Sequence, residues 1–153
     1  MNGIVGIIIF IVCGAAWTAV AICFSSEGVL SHRYKKFYET TEEGKKLYCA
    51  LYTKDRLGSK HDWLVNQIHE LRDKIDEFES YFPEECDEKA FLHGMKVQYK
   101  EYSDELDRTK EAMADWGKRI DKMVAALPKK YKGILEYNWE NAKVEVKEES
   151  VCW

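Results

Sequence analysis

Between residues 89 and 127, Leu92, Met95, Tyr99, Tyr102, Leu106, Thr109, Met113, Trp116, Ile120, Met123 and Leu127 recur at alternating spacings of three and four without a slip. A repeat of this kind, sustained for roughly five heptads, lays one stripe of large side chains along a long helix and demands a second helix to cover it. The chain upstream supplies one. Leu47, Ala50, Lys54, Leu57, His61, Leu64, Ile68, Leu71, Ile75, Phe78 and Phe82 follow the same alternation. Their phase runs through Gly58-Ser59, where a true loop would reset it, so the sequence predicts one helix there, with at most a bend at Gly58.

The strong break between the two stripes is Pro83-Glu84-Glu85-Cys86-Asp87-Glu88, which suits a turn and the acidic start of a second helix. The expected unit is an antiparallel two-helix coiled-coil hairpin over 41–132, with arms 41–82 and 88–127 and a tip at 83–87. Each arm spans on the order of 60 Å at helical rise. Folding about the tip pairs Phe78 with Leu92, Ile75 with Met95, Leu71 with Tyr99, Ile68 with Tyr102 and Leu64 with Leu106. The two polar intruders, His61 and Thr109, then fall opposite one another as a register-setting layer, and Lys54 falls opposite Trp116 as a cation over an indole face. Thr40 and Glu43 form a Thr-x-x-Glu capping box at the start of the first arm, and Pro128 ends the second.

Only nine glycines and two prolines occur in 153 residues, so few long elements are expected and the fold class is all-α. Residues 3–24 carry no charge; about 22 helical residues match a hydrocarbon core of roughly 30 Å. A single transmembrane anchor over 1–24 is the expectation. Ala19-Val20-Ala21 resembles a signal-peptide cleavage site, but no Lys or Arg precedes the run, and it is longer than the apolar part of a signal peptide. Arg33, Lys35, Lys36, Lys45 and Lys46 follow the run; by the positive-inside rule the amino terminus faces out and the bulk of the chain is cytoplasmic.

Residues 25–40 form a basic juxtamembrane segment, with Val29, Leu30, Tyr34 and Phe37 on one rough helical face. It either lies on the lipid surface or continues the helix out of the bilayer. A second basic cluster, Lys129, Lys130 and Lys132, follows the hairpin and is expected beside Arg33, Lys35 and Lys36 near the bilayer, where each basic residue gains about 1 kcal/mol at an anionic leaflet. Residues 133–153 are expected to hold a short packing helix around Ile134, Leu135 and Trp139 and then a polar tail.

Little in the sequence points to chemistry. The net charge of -4 and the lack of a basic, aromatic-interleaved face argue against nucleic acid. The five cysteines show no zinc spacing, and their odd number suits unpaired thiols. His32, His61, His69 and His93 do not form the Glu-x-x-His pairs of a di-metal bundle, and the acidic tip lacks the glycine and ligand spacing of a calcium loop. No phosphate loop or Ser/His/Asp set is present. No cofactor, metal or small-molecule substrate is therefore expected, and the chain reads as a non-enzyme.

Trp63, Phe91, Val97 and Trp139 lie off the seam and are candidates for an exposed interaction surface, either for self-association or for a partner helix. The resulting functional expectation is a membrane-anchored interaction or scaffold protein projecting a helical arm from the cytoplasmic face. The alternative places the coiled coil outside the cytoplasm as an envelope spacer, a layout similar to that of the inner-membrane component of phage lysis spanins. That similarity covers only the order of anchor and coiled coil, and the missing amino-terminal positive charge counts against it.

Overall fold

The computed structural model describes the backbone of residues 26–81 and 86–146, and the side chains of 28–81 and 89–146. The expected anchor at 1–24, most of the tip and the end of the tail lie outside the described residues. Within them the chain is all-α: helix α1 is Ser26–Thr40, α2 is Glu42–Tyr81, α3 is Cys86–Ala125, and three 3-10 turns follow at Lys129–Tyr131, Ile134–Glu136 and Trp139–Asn141. No helix among the described residues is long and apolar enough to cross a membrane. The chain divides into two compact units, residues 26–48 with 127–145 and residues 49–126.

The second unit is the packed helical hairpin. Every seam position of α3 from Leu92 to Met123 is buried or half-buried, while the positions between them are mostly exposed, the result a 3.5-residue apolar period imposes. Leu71, Ile75 and Met95 form one cluster with Phe78, Leu92, Tyr99 and Tyr102 around it, so the two arms bring these seam residues together. Leu64, 1% exposed, continues that line along α2. Two cross-helix ion pairs flank the seam, Lys60 Nζ to Glu105 Oε1 and Lys96 Nζ to Glu79 Oε1, each at 2.5 Å. Arms running antiparallel give this pattern, because the partner's number falls as residue number rises.

Gly58 lies inside an uninterrupted α2, and a Cβ there would meet nothing within 4 Å. The unbroken phase of the seam thus corresponds to one continuous helix, and no bend is needed to make room. One seam position differs from expectation. Thr53, 2% exposed, turns inward in place of Lys54, which is exposed. The hydroxyl of Thr53 donates to the Cys49 carbonyl at 2.8 Å, so it can be buried with its proton satisfied. An ammonium has no such partner within its own helix.

The first unit is built around the face of α1. Tyr34, Phe37 and Tyr38 are buried and are covered by the segment after α3. Ile134 is fully buried; Tyr131 packs on Phe37 with the rings tilted and their centroids 4.2 Å apart, and Tyr137 packs against Tyr34 and Tyr38. In place of the short helix expected after 133, three 3-10 turns carry the segment. Gly133, at φ 88°, sets the chain in the left-handed region before Ile134, and Asn138 Oδ1 accepts the Glu140 N–H at 3.2 Å to open the last turn.

The corner between α1 and α2 is one residue later than the Thr40–Glu43 box implied. Thr41 caps α2: its hydroxyl accepts from Gly44 N at 3.0 Å and donates to Phe37 O at 2.8 Å. The Thr40 hydroxyl instead donates back to Lys36 O. A single residue thus closes one helix and opens the next. The tight turn needs Gly44, where a Cβ would lie 2.1 Å from Phe37 O.

Candidate functional site

Two surfaces carry the residues of interest, one in each unit. In the first unit, Tyr34 OH donates to Lys132 O at 2.6 Å, and Lys143 N donates to Glu39 Oε1 at 2.9 Å. Both bonds join residues about a hundred positions apart and fasten the carboxyl-terminal segment onto α1. The result is that Arg33, Lys35 and Lys36 share one unit with Lys129, Lys130 and Lys132. All six are exposed except Lys35, which is half-buried. Lys130 Nζ lies 4.9 Å from the Tyr131 ring centroid. Among the described residues none of the six has an ion-pair partner, so their charge is directed at solvent. Val29, 43% exposed, lies on the same outer side of α1 as Arg33 and Lys36, whereas Tyr34 and Phe37 face inward.

Below that surface the unit is aromatic. Trp139, expected among the exposed residues, is half-buried and meets Tyr48 edge-on at 5.2 Å, because the third 3-10 turn brings it over the start of α2. Burial, reinforced by the neighbouring Tyr137, pushes the Tyr38 phenol well above its ordinary pKa; its hydroxyl faces Ile134 O at 3.5 Å.

In the second unit each of the two intended register residues bonds within its own helix. Thr109 is buried and its hydroxyl donates to Glu105 O at 2.8 Å; His61 Nδ1 lies 3.0 Å from Asp62 Oδ1. The cation over Trp116 is Arg119, with its guanidinium carbon 4.8 Å from the ring centroid; Lys54 Nζ instead reaches toward Gly117, 3.9 Å from where a Cβ would stand. Two ion pairs span the helices, Lys60 with Glu105 and Lys96 with Glu79. Glu105 is held below its ordinary carboxylate value chiefly by its hydrogen bond from Lys60; desolvation opposes that shift, and the charges of Lys60 and Arg108 lower it further.

One edge of the hairpin is aromatic. Trp63 is 50% exposed and meets Tyr102 edge-on at 5.7 Å, while Gln98 Nε2 donates to Tyr102 OH at 3.0 Å. Farther along α2, Lys74, Glu77, Phe78, Tyr81, Phe91 and Met95 line an open cleft of about 250 Å³. Phe91 and Tyr81 are 62% and 70% exposed. Val97 is also exposed, on a different side of α3 from Phe91 by its position in the turn. The sequence signalled Trp63 and Phe91 singly, but the cleft depends on which residues of α2 stand beside α3.

Among the described residues no three His, Cys, Asp or Glu side chains gather as a metal site. Comparison with protein-family models, curated proteins and solved structures found no match.

Proposed function

We propose that the protein is a membrane-anchored interaction or scaffold protein: residues 3–24 span the bilayer, the basic first unit lies at its cytoplasmic surface, and the hairpin is a docking arm. The observation that carries the reading is the fastening of Lys132 to Tyr34, which puts two basic clusters from opposite ends of the sequence into one unit with outward charge. Six cations beside an uncharged run of membrane-spanning length are what a protein held at an anionic leaflet needs. The hairpin fills its seam with its own side chains, and its exposed features are an aromatic edge and an open cleft, surfaces suited to protein docking rather than to enclosing a substrate. No reaction is assigned to it.

The test is extraction of membranes from cells making the full chain. The chain should stay with the membrane in alkaline carbonate and float with liposomes. Changing Lys129, Lys130 and Lys132 to Gln should reduce surface protection of 127–145 against protease on vesicles with anionic lipid, and leave protection unchanged on neutral vesicles. Release of the wild-type chain into the carbonate supernatant would refute the anchor.

A further inference from the structure

Along the edge of α2 beside the seam, Lys60, Trp63, Gln67, Glu70, Lys74 and Glu77 follow one another at alternating spacings of three and four. All six are exposed or half-buried. The period is that of a helix-packing stripe, yet these residues lie beside the seam and not in it. The order of their charges matters: cation, indole, amide, acid, cation, acid. Laid antiparallel against itself, the stripe places Lys60 against Glu77, Trp63 against Lys74 and Gln67 against Glu70, and each of these contacts then occurs twice about a two-fold axis. No like charges lie directly opposite one another. A parallel pairing would instead set every charge against itself.

The cleft gives this pairing a steric complement. Lys74 and Glu77 stand on its rim, with Phe78, Tyr81, Phe91 and Met95 along its wall. A Trp63 directed at Lys74 of a second copy arrives at the mouth of that cleft, where its indole meets an ammonium and aromatic surface. Trp63 is braced on one side by Tyr102 and exposed on the other, as an anchor residue must be. Among the described residues the side chains of Glu70, Lys74 and Glu77 have no ion-pair partner within the chain, so the pairing breaks no existing salt bridge; Lys60 would add Glu77 of the second copy to its own Glu105.

We propose that this edge of the hairpin binds a second copy of the chain in an antiparallel, two-fold arrangement, with each Trp63 seated in the other copy's Phe78–Phe91 cleft. Two hairpins joined in this way make a four-helix assembly with an isologous interface. The proposal rests on the reading of the hairpin as a docking arm and not on its membrane attachment, so carbonate extraction and dimerisation can fail separately.

Sedimentation equilibrium of the full chain in density-matched detergent, over a hundredfold range of concentration, should show a monomer–dimer equilibrium. Trp63→Ala and, separately, Glu77→Lys should each raise the dissociation constant at least tenfold while leaving helicity unchanged. A photoreactive benzoylphenylalanine at position 63, in a mixture of ¹⁴N and ¹⁵N copies, should give isotopically mixed cross-links to the peptides holding Lys74, Tyr81 or Phe91. A monomer across the range, a dimer insensitive to both variants, or cross-links in membranes that run to a different polypeptide would overturn the proposal.

Discussion

Replacing Gly44 with alanine tests the corner on which the first unit depends. The added methyl would stand 2.1 Å from Phe37 O, 2.6 Å from Phe37 C and 2.7 Å from Thr41 Oγ1. Two of those atoms are backbone of a residue that is 4% exposed, so no flexible side chain can give way. Ordinary contact at about 3.5 Å requires the last turn of α1 to withdraw by more than about 1 Å. That movement loosens the bonds that Thr41 N and Thr41 Oγ1 donate to Phe37 O, at 3.1 and 2.8 Å, and the cap that Thr41 Oγ1 provides to Gly44 N. Loss of the cap costs about 1 kcal/mol, one weakened hydrogen bond about 1 kcal/mol, and residual overpacking about 1–3 kcal/mol. Alanine's better helix propensity returns about 1 kcal/mol. The net expectation is a loss of about 2–4 kcal/mol, or about 5–15 °C in the thermal midpoint followed by circular dichroism of the full chain in detergent. Gly58→Ala and Gly94→Ala are the controls, since a Cβ at either site meets nothing within 4 Å; each should gain about 0.5–1 kcal/mol. A Gly44→Ala variant at least as stable as the wild type would refute the geometry of the corner.

Other substitutions probe the remaining contacts. Ile134→Ala should cost about 2–4 kcal/mol and speed amide exchange through 129–142, because this fully buried side chain holds the 3-10 segment to α1. Tyr34→Phe removes the 2.6 Å bond to Lys132 O and should cost about 1 kcal/mol, with the exchange change again confined to that segment. Gly133→Ala must hold a non-glycine residue at φ 88° and should lose about 1–2 kcal/mol. For Glu105, the folded-state pKa lies below its ordinary value near 4.5, so its contribution is present above that pH and is lost as pH falls through the folded value. Both partners of the Lys60–Glu105 pair remain about a third exposed, so Glu105→Gln should cost less than about 1 kcal/mol at neutral pH. That difference should shrink steadily in urea titrations carried out below pH 4.5.

The seam of α3 was legible because a long apolar period leaves only one face to bury. The continuity of α2 through Gly58 was legible for the same reason, since phase is conserved across an unbroken helix. Period could not decide between Thr53 and Lys54, adjacent in sequence and both near the stripe. That choice was made by the hydroxyl's ability to bond Cys49 O. Similarly, Thr40 and Thr41 are both capping residues by type, and only the close approach of Phe37 O to Gly44 selects the second. The packing of 129–142 on α1 has no local signature: its contacts join residues about a hundred apart, and the 3-10 turns follow from Gly133 and Asn138 rather than from any apolar period. Trp139 read as exposed because its partner, Tyr48, belongs to a distant part of the chain. The cleft beside Phe91 was hidden for a related reason, as its wall is shared by two helices.

The proposed function puts a hairpin arm on the cytoplasmic face of a membrane. Labelling of a variant that retains Cys86 and has Ser at the other four cysteines tests it most directly, with a membrane-impermeant maleimide applied to intact cells and then to opened membranes. The chain should stay with the carbonate-washed membrane, and Cys86 should react only once the membrane is opened. Labelling of Cys86 in intact cells, or recovery of the chain in the soluble fraction, would contradict it.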